Sequence, residues 1–77
     1  MRLTDYKDKV IHFIAIGGCS MSGLAVLLGK MGFKYIQGSD SAQTKYLAPL
    51  REMGMKIFIG HDAAQVENAE LVVYSAA

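Results

Sequence analysis

The sequence predicts an α/β domain in which a parallel sheet is flanked by helices, and it places residues 1–77 in one such unit. Three observations support this prediction. Short apolar runs alternate with segments of helical periodicity, a glycine-rich turn follows the first apolar run, and the connections are short. The resulting order is strand, helix, strand, helix, strand, helix, strand. Right-handed crossovers would join these strands into the parallel sheet of a Rossmann-like nucleotide-binding half.

The first strand is predicted at Val10 to Ile16, a continuous apolar run that suits a strand covered on both faces. The first helix is predicted from Met21, because apolar residues recur at helical spacing as far as Met31. Gly32 then stands where a left-handed helix terminus favours glycine.

Two later segments share one pattern. "KMGFKYIQGSD" at 30–40 and "EMGMKIFIGHD" at 52–62 both read Met-Gly-x-Lys-x-x-x-Gly-x-Asp. Each predicts a helix end with a glycine cap, a short strand (34–38 and 55–60) and a turn that carries an aspartate. Two copies explained by local physics do not predict a solenoid repeat.

The remaining elements follow from shorter signals. Apolar residues at helical spacing predict a second helix that begins shortly before Pro49 or kinks there: Leu47, Leu50 and Met53. "DAAQ", Asp62 to Gln65, has the form of a capping box and predicts a short third helix. "LVVYSAA", residues 71–77, is predicted to be a fourth buried strand.

The charge balance argues against a nucleic-acid or membrane partner. The chain has 8 Lys and Arg against 7 Asp and Glu, and these are scattered along it. The single cysteine, Cys19, cannot form an internal disulfide, which favours a cytoplasmic location. The run Val10 to Ile16 is too short to span a bilayer, and we expect no signal or transmembrane segment.

The glycine-rich turn "GGCSMSG", Gly17 to Gly23, is the strongest functional signal. A helix amino terminus carries unpaired N–H groups and partial positive charge, and glycines let a phosphate approach them. The dinucleotide fingerprint is incomplete in both possible registers, Ala15-Gly17-Ser20 and Gly18-Ser20-Gly23. We favour phosphate binding over a purely structural turn because strand, turn and helix occur in the required order.

The same turn does not predict ATP hydrolysis. Gly18 and Gly23 have Walker spacing, but Leu24 and Ala25 stand where the phosphate-binding lysine and the magnesium-binding hydroxyl belong. Ser20 and Ser22 could bind a phosphate or cap the helix.

Four other residues are candidates for a role in the site. Asp40 ends the second strand where a ribose-binding acid would lie, although a turn aspartate is the simpler alternative. His61, after the third strand, could contact a base or be a solvated turn residue. His12 is interpreted as structural, and Cys19 has no neighbouring histidine or acid in sequence that would make it a nucleophile.

Three segments together resemble the Mur ligases: "HFIAIGGCSMSGLA" at 12–25, "GSD" at 38–40 and "KIFIGHDAAQVENAELVVYSAA" at 56–77. The resemblance extends over the chain from Val10 onward and fits the alanine-adding ligases better than the peptide-recycling ones. Ala15 and Ser20 depart from it, since glycine is usual at both positions. We expect these side chains to add bulk near the bound diphosphate.

The resemblance implies a cytoplasmic three-domain ligase of peptidoglycan synthesis, which joins L-alanine to UDP-N-acetylmuramate through an acyl phosphate. This chain would be the UDP-sugar-binding domain, with no cofactor, metal or catalytic residue of its own. ATP and magnesium would be bound by domains outside it. The implied diphosphate contacts are Gly17, Gly18, Cys19, Ser20, Met21, Ser22 and Gly23. The implied uridine contacts are Asp40, His61, Ser75, Ala76 and Ala77.

Two other function classes remain open on the residues alone. The strand, turn and helix with Asp40 would also suit the NAD-binding half-domain of an oxidoreductase. A small regulatory nucleotide sensor, complete at this length, is a third possibility. Parallel binding of UDP, NAD and ATP distinguishes the three.

Overall fold

The computed structural model describes residues 2–75 and contains a four-stranded parallel sheet in the order β3-β2-β1-β4. The strands are β1 (Val10–Ile14), β2 (Tyr35–Asp40), β3 (Lys56–Ile59) and β4 (Leu71–Val73). The helices are α1 (Cys19–Lys30) and α2 (Leu47–Glu52), with 3-10 turns at Leu3–Tyr6 and Ala63–Val66. The predicted α/β class and parallel sheet are confirmed.

The start of α1 lies earlier than predicted. β1 ends at Ile14 instead of Ile16 because Ala15 turns the chain with a φ of 62°, and Ile16 is nevertheless buried in the turn. The helix then begins at Cys19, two residues before Met21. The two residues that were missed, Cys19 and Ser20, are exposed and stand outside the apolar spacing that marks the rest of the helix.

The Met-Gly pattern shared by residues 30–40 and 52–62 marks two helix ends, as predicted. Gly32 and Gly54 follow α1 and α2 with φ of 95° and 87°. The amide of Phe33 donates to the Leu28 carbonyl and the amide of Met55 to the Leu50 carbonyl, both at 3.1 Å. These bonds close the two helix ends in the same Schellman arrangement.

Pro49 neither breaks nor delays α2. It is the third residue of the helix, where the proline nitrogen has no helical hydrogen bond to lose. Of the two alternatives from the sequence, a helix that begins shortly before Pro49 is correct.

The predicted third helix is a single 3-10 turn. Asp62 Oδ1 accepts from the Ala64 amide at 2.9 Å, which confirms the aspartate half of the capping box. The glutamine half is wrong, because Gln65 Nε2 donates to the Gly60 carbonyl at 3.2 Å and so stabilises the turn after β3.

The two faces of the sheet differ in their cover. One face packs against α1 and α2 around a buried apolar core: Ile11, Phe13, Ile16, Ala25, Leu28, Phe33, Ile36, Leu47, Leu50 and Met55. The other face carries His12, Gln37 and Ser39 and contacts the segment around Ala63–Val66. Within residues 2–75, no helix is long and apolar enough to cross a membrane.

β4 is shorter and more exposed than predicted. It lies at the edge of the sheet, where Leu71 and Val73 pack against the core while Val72 is exposed. Tyr74 and Ser75 are outside the strand, and Ala76 and Ala77 lie outside the described residues. The prediction of a buried strand over 71–77 is therefore wrong in length and burial, since within residues 2–75 β4 pairs with β1 alone.

Candidate functional site

The candidate site lies at the edge of the sheet where the parallel strands end. β1 leads into the turn at Gly17, β2 ends at Asp40, His61 follows β3, and Ser75 follows β4. Connections leave the sheet on opposite faces between β1 and β4, and such switch points form ligand crevices outside the strand ends.

The glycine turn exposes the amino terminus of α1. Gly18 is the N-cap residue with φ −72° and ψ 156°, and no side chain caps the helix. The Gly18 amide donates to the Ala15 carbonyl at 3.1 Å. The next three N–H groups, those of Cys19, Ser20 and Met21, have no acceptor within an α-helix and are available to an anion.

The predicted binding segment Gly17 to Gly23 is divided between two kinds of structure. Gly17 and Gly18 form the turn, whereas Cys19 to Gly23 already belong to α1. Ser22 is buried and donates to the Cys19 carbonyl at 3.0 Å, so it is not a cap. A Cβ on Gly23 would have no neighbour within 4 Å, so space does not require glycine there.

Asp40 fixes the glycine turn. The Gly17 amide donates to Asp40 Oδ2 at 2.9 Å, and the Ala42 amide donates to Asp40 Oδ1 at 3.2 Å. The Thr44 hydroxyl donates to the Gly17 carbonyl at 2.7 Å. A Cβ on Gly17 would lie 2.9 Å from both Asp40 Oδ2 and Thr44 Oγ1, so this close approach favours glycine.

A ligand role for Asp40 is compatible with these bonds. Each carboxylate oxygen accepts one amide and keeps further lone-pair capacity, so a ribose hydroxyl could still donate to it. Thr44 is a site residue that sequence reasoning missed. Its contact with Gly17 joins residues 27 positions apart, and no local motif signals it.

Ala15 stands where the pattern of the Mur ligases has glycine, and it adopts a backbone conformation that is unfavourable for alanine. Its φ of 62° is in the left-handed region, which glycine adopts more readily than alanine. Its side chain is exposed. The structure thus gives a conformational reason for glycine at this position, while the predicted bulk near a diphosphate stays a prediction for Ala15 and Ser20.

His61 lies with a different set of residues from Asp40. His61 Nδ1 is 3.3 Å from Ser39 Oγ, and Ser39 points to the sheet face opposite Asp40 because successive strand residues alternate. Among the described residues, no hydrogen bond joins His61 to the Asp40 carboxylate. The predicted uridine contacts therefore flank the sheet edge from two sides.

His12 is structural, as predicted. It is fully buried, with Nε2 3.3 Å from Ser39 Oγ and Nδ1 2.8 Å from Gln37 Nε2. Burial lowers the pKa of His12, and the charge of His61 lowers it further. The neutral ring is thus the stable form in the fold.

Cys19 is an exposed free thiol next to the start of α2. A hydrogen bond with Cys19 raises the pKa of Tyr46 above its usual value. Cys19, Lys45 and Tyr46 line a cleft of about 330 Å³ next to the first turn of α1, and Lys45 Nζ lies 5.4 Å from the centroid of the Tyr46 ring. Sequence reasoning did not single out this basic side chain.

The described residues do not fit an ATP and magnesium site. Ala25, at the Walker hydroxyl position, is fully buried in the core, and Leu24 stands at the lysine position. Over residues 2–75, no three His, Cys, Asp or Glu side chains group so as to hold a metal ion. What this edge presents is the backbone N–H groups at the start of α1 and the polar side chains of Asp40 and His61.

Comparison with known proteins decides the family. The model described as "Mur ligase family, catalytic domain" matches residues 10–77. The chain belongs to the Mur ligase family. It is 48% identical over 69 residues, 90% of its length, to a UDP-N-acetylmuramate–L-alanine ligase of Clostridium tetani. The corresponding ligase of Methylobacterium radiotolerans is 48% identical over all 77 residues.

A solved structure agrees with this assignment. The crystal structure of UDP-N-acetylmuramate-alanine ligase from Thermotoga maritima superposes with a TM-score of 0.79 and 35% identity over 88% of this Mur ligase chain. The chain spans only 15% to 16% of the two curated relatives and 16% of the solved structure. The family match supports the ligase interpretation over the NAD-binding oxidoreductase alternative.

Proposed function

We propose that this Mur ligase chain is the UDP-N-acetylmuramate-binding part of an ATP-dependent ligase that adds L-alanine in peptidoglycan synthesis. The observation that carries the proposal is the uncapped amino terminus of α1 behind the Gly17–Gly18 turn. The names of the relatives, which pair UDP-N-acetylmuramate with L-alanine, support this choice of ligand.

The diphosphate of the ligand would lie on the amides at the start of α1. Those N–H groups supply donors and the helix dipole favours negative charge, so the turn needs no lysine of its own. Lys45, in the cleft beside Cys19, would add positive charge on the α2 side.

The uridine would lie across the ends of the strands. Asp40, already holding the Gly17 amide, would accept a ribose hydroxyl, and His61 would contact the base. Ser75 follows β4 at the same edge, and Ala76 and Ala77, which continue from it in sequence, are proposed to complete the contact.

The remaining substrates would be bound outside residues 1–77. The described residues do not suit ATP and magnesium, so activation of the muramyl carboxylate and capture of L-alanine belong to other parts of the protein. We place this work in the cytoplasm.

Replacement of Gly18 by valine tests the proposal. A Cβ at Gly18 would meet only the Ala15 carbonyl at 3.4 Å, and φ −72° with ψ 156° suits valine, so we expect Gly18→Val to fold. The branched side chain would stand where the diphosphate approaches. UDP affinity, measured by calorimetry or NMR, should fall at least about tenfold, equivalent to roughly 1.4 kcal/mol.

Leu27→Val is the matched control, since it introduces the same side chain at an exposed position of α1 outside the proposed binding segment. It should bind UDP as the unchanged chain does. Equal UDP affinity in folded Gly18→Val and Leu27→Val proteins would show that the turn holds no diphosphate.

A further inference from the structure

A hydrogen-bonded network of four polar side chains crosses the sheet face opposite α1 and α2. Gln37 Nε2 lies 2.8 Å from His12 Nδ1, His12 Nε2 lies 3.3 Å from Ser39 Oγ, and Ser39 Oγ lies 3.3 Å from His61 Nδ1. Gln37, His12 and Ser39 are buried, whereas His61 is exposed. The network therefore leads from the interior to the edge of the sheet where the candidate site lies.

Gln37 sets the direction of these hydrogen bonds. Its Nε2 also donates to the Gln65 carbonyl at 2.8 Å and lies 3.4 Å from Asn68 Oδ1, so an amide oxygen in that position would face two acceptors. The atom beside His12 is thus an N–H donor. His12 Nδ1 must accept, and the neutral ring must carry its proton on Nε2.

The Ser39 hydroxyl in turn determines which nitrogen of His61 carries the proton. Because His12 Nε2 donates to Ser39 Oγ, the buried Ser39 hydroxyl must direct its own proton elsewhere. The other described partner of that oxygen is His61 Nδ1. His61 Nδ1 consequently accepts, and the neutral His61 ring holds its proton on Nε2.

We propose that Gln37, His12 and Ser39 are positioning residues that fix the tautomer of His61, so that a neutral Nε2–H donor faces an uncharged acceptor oxygen of the ligand. Under the proposed function, on which this identity of the ligand rests, that acceptor is a carbonyl oxygen of the uracil ring. His61, Ser39 and Ile14 help line a cleft of about 240 Å³ at this point.

Uncharged side chains surround the buried part of this network. His12 is faced by Gln37 and Ser39 from β2, the Phe58 ring from β3 at a centroid distance of 6.3 Å, and His61 from the following turn. Asp62, beside His61, also lines the cleft, but its Oδ1 accepts from the Ala64 amide. A phosphate would instead be favoured at the amides of α1, on the other side of Asp40.

The tautomers can be read from ¹⁵N shifts of the histidine rings in the ligand-free chain, at about pH 8 where ordinary histidines are neutral. We expect both His12 and His61 to show an unprotonated Nδ1 and a protonated Nε2. A His61 ring with its proton on Nδ1, or with the mixture of tautomers found in free histidine, would overturn the proposal.

Ser39→Ala removes the donor to His61 Nδ1, and Ser41→Ala, at an exposed position two residues later, is the control. In folded Ser39→Ala the His61 tautomer should become mixed, while in Ser41→Ala it should stay fixed. An unchanged tautomer in Ser39→Ala would also overturn the proposal. Should that variant fail to fold, the ligand-free spectrum of the unchanged chain still decides.

Uridine and inorganic phosphate separate the two halves of the site. Uridine should shift His61 Nε2 and bind up to about twofold more weakly to Ser39→Ala, because only the rings that keep the Nε2–H tautomer can donate to it. Phosphate should shift the amides at the start of α1 and leave His61 Nε2 unchanged. A His61 response to phosphate in place of uridine would contradict the proposed acceptor, whereas failure of UDP at the α1 amides with the tautomers as expected would contradict only the proposed function.

Discussion

Ala15 and His12, two residues next to the glycine turn, are both strongly affected by their place in the fold. Ala15 adopts a left-handed φ of 62° that costs an alanine roughly 1 to 2 kcal/mol. His12 is kept neutral by its burial and by the amide of Gln37. Both residues lie on or beside β1, immediately before the turn that we propose binds the ligand.

Ala15→Gly should stabilise the fold. Glycine removes the left-handed penalty but adds chain entropy to the unfolded state, so we expect a net gain of about 0.5 to 1 kcal/mol. Ala48→Gly, at an exposed position of α2, is the control and should lower stability. Urea unfolding measures both, and a loss of stability in Ala15→Gly would show that the turn is not strained by alanine.

The lowered pKa of His12 predicts how stability depends on pH. Burial and the charge of His61 place the folded-state pKa below the ordinary value of 6.5. Between these two values the unfolded chain binds more protons, so the free energy of unfolding rises with pH. The stabilisation is complete above about pH 6.5 and is lost as pH falls toward the folded-state pKa.

An NMR titration of the His12 ring, combined with urea unfolding at several pH values, checks this prediction. A His12 ring that gains its proton at or above the ordinary value would contradict it. So would a free energy of unfolding that rises as the solution is acidified through this range.

At the scale of elements, β2 and the turn after β1 approach each other without room for a side chain. A Cβ on Gly38 of β2 would lie 2.6 Å from Ile16 Cδ1 and 2.8 Å from the Phe13 carbonyl oxygen. The backbone of β1 cannot yield locally because Phe13 is paired with Gly38 in the sheet. This contact places the turn over the end of β2, where Asp40 receives the Gly17 amide.

Gly38→Ala should therefore destabilise the chain by about 2 kcal/mol or more, as overpacking of a rigid core does. Gly29→Ala in α1 is the matched control, since its Cβ would meet the flexible end of Met53, 2.7 Å away, and alanine favours a helix. Gly29→Ala should be neutral or stabilising in thermal or urea unfolding. Equal stability of the two variants would contradict the close approach.

Local signals in the sequence predicted the helices and strands. They could not predict contacts between residues that are far apart in the sequence. Gly32 and Gly54 mark helix ends because the required φ is a property of a single residue. The start of α1 at Cys19 was missed because Cys19 and Ser20 are exposed and stand outside the apolar spacing of the helix. The bond from Thr44 to Gly17 and the Ser39 contacts to two histidines join residues 22 to 27 positions apart, which no local pattern reports.

At the scale of the whole molecule, the carboxyl edge of the sheet presents backbone N–H groups at the start of α1 on one side and the His61 ring on the other. The family of this chain is settled by the match over residues 10–77, and the chain spans about one-sixth of the length of the relatives compared with it. Within residues 2–75, no side chains group so as to hold a metal ion. Recognition of the nucleotide-sugar substrate is the function that we propose for this chain.

Parallel NMR titration of the chain with UDP, NAD and ATP tests this assignment most directly. We predict that UDP shifts the amides of Gly17 to Gly23 at concentrations where NAD and ATP do not, with Asp40 and His61 responding in the same titration. If NAD or ATP shifts these amides at a lower concentration than UDP does, the proposed recognition of a UDP-sugar is wrong.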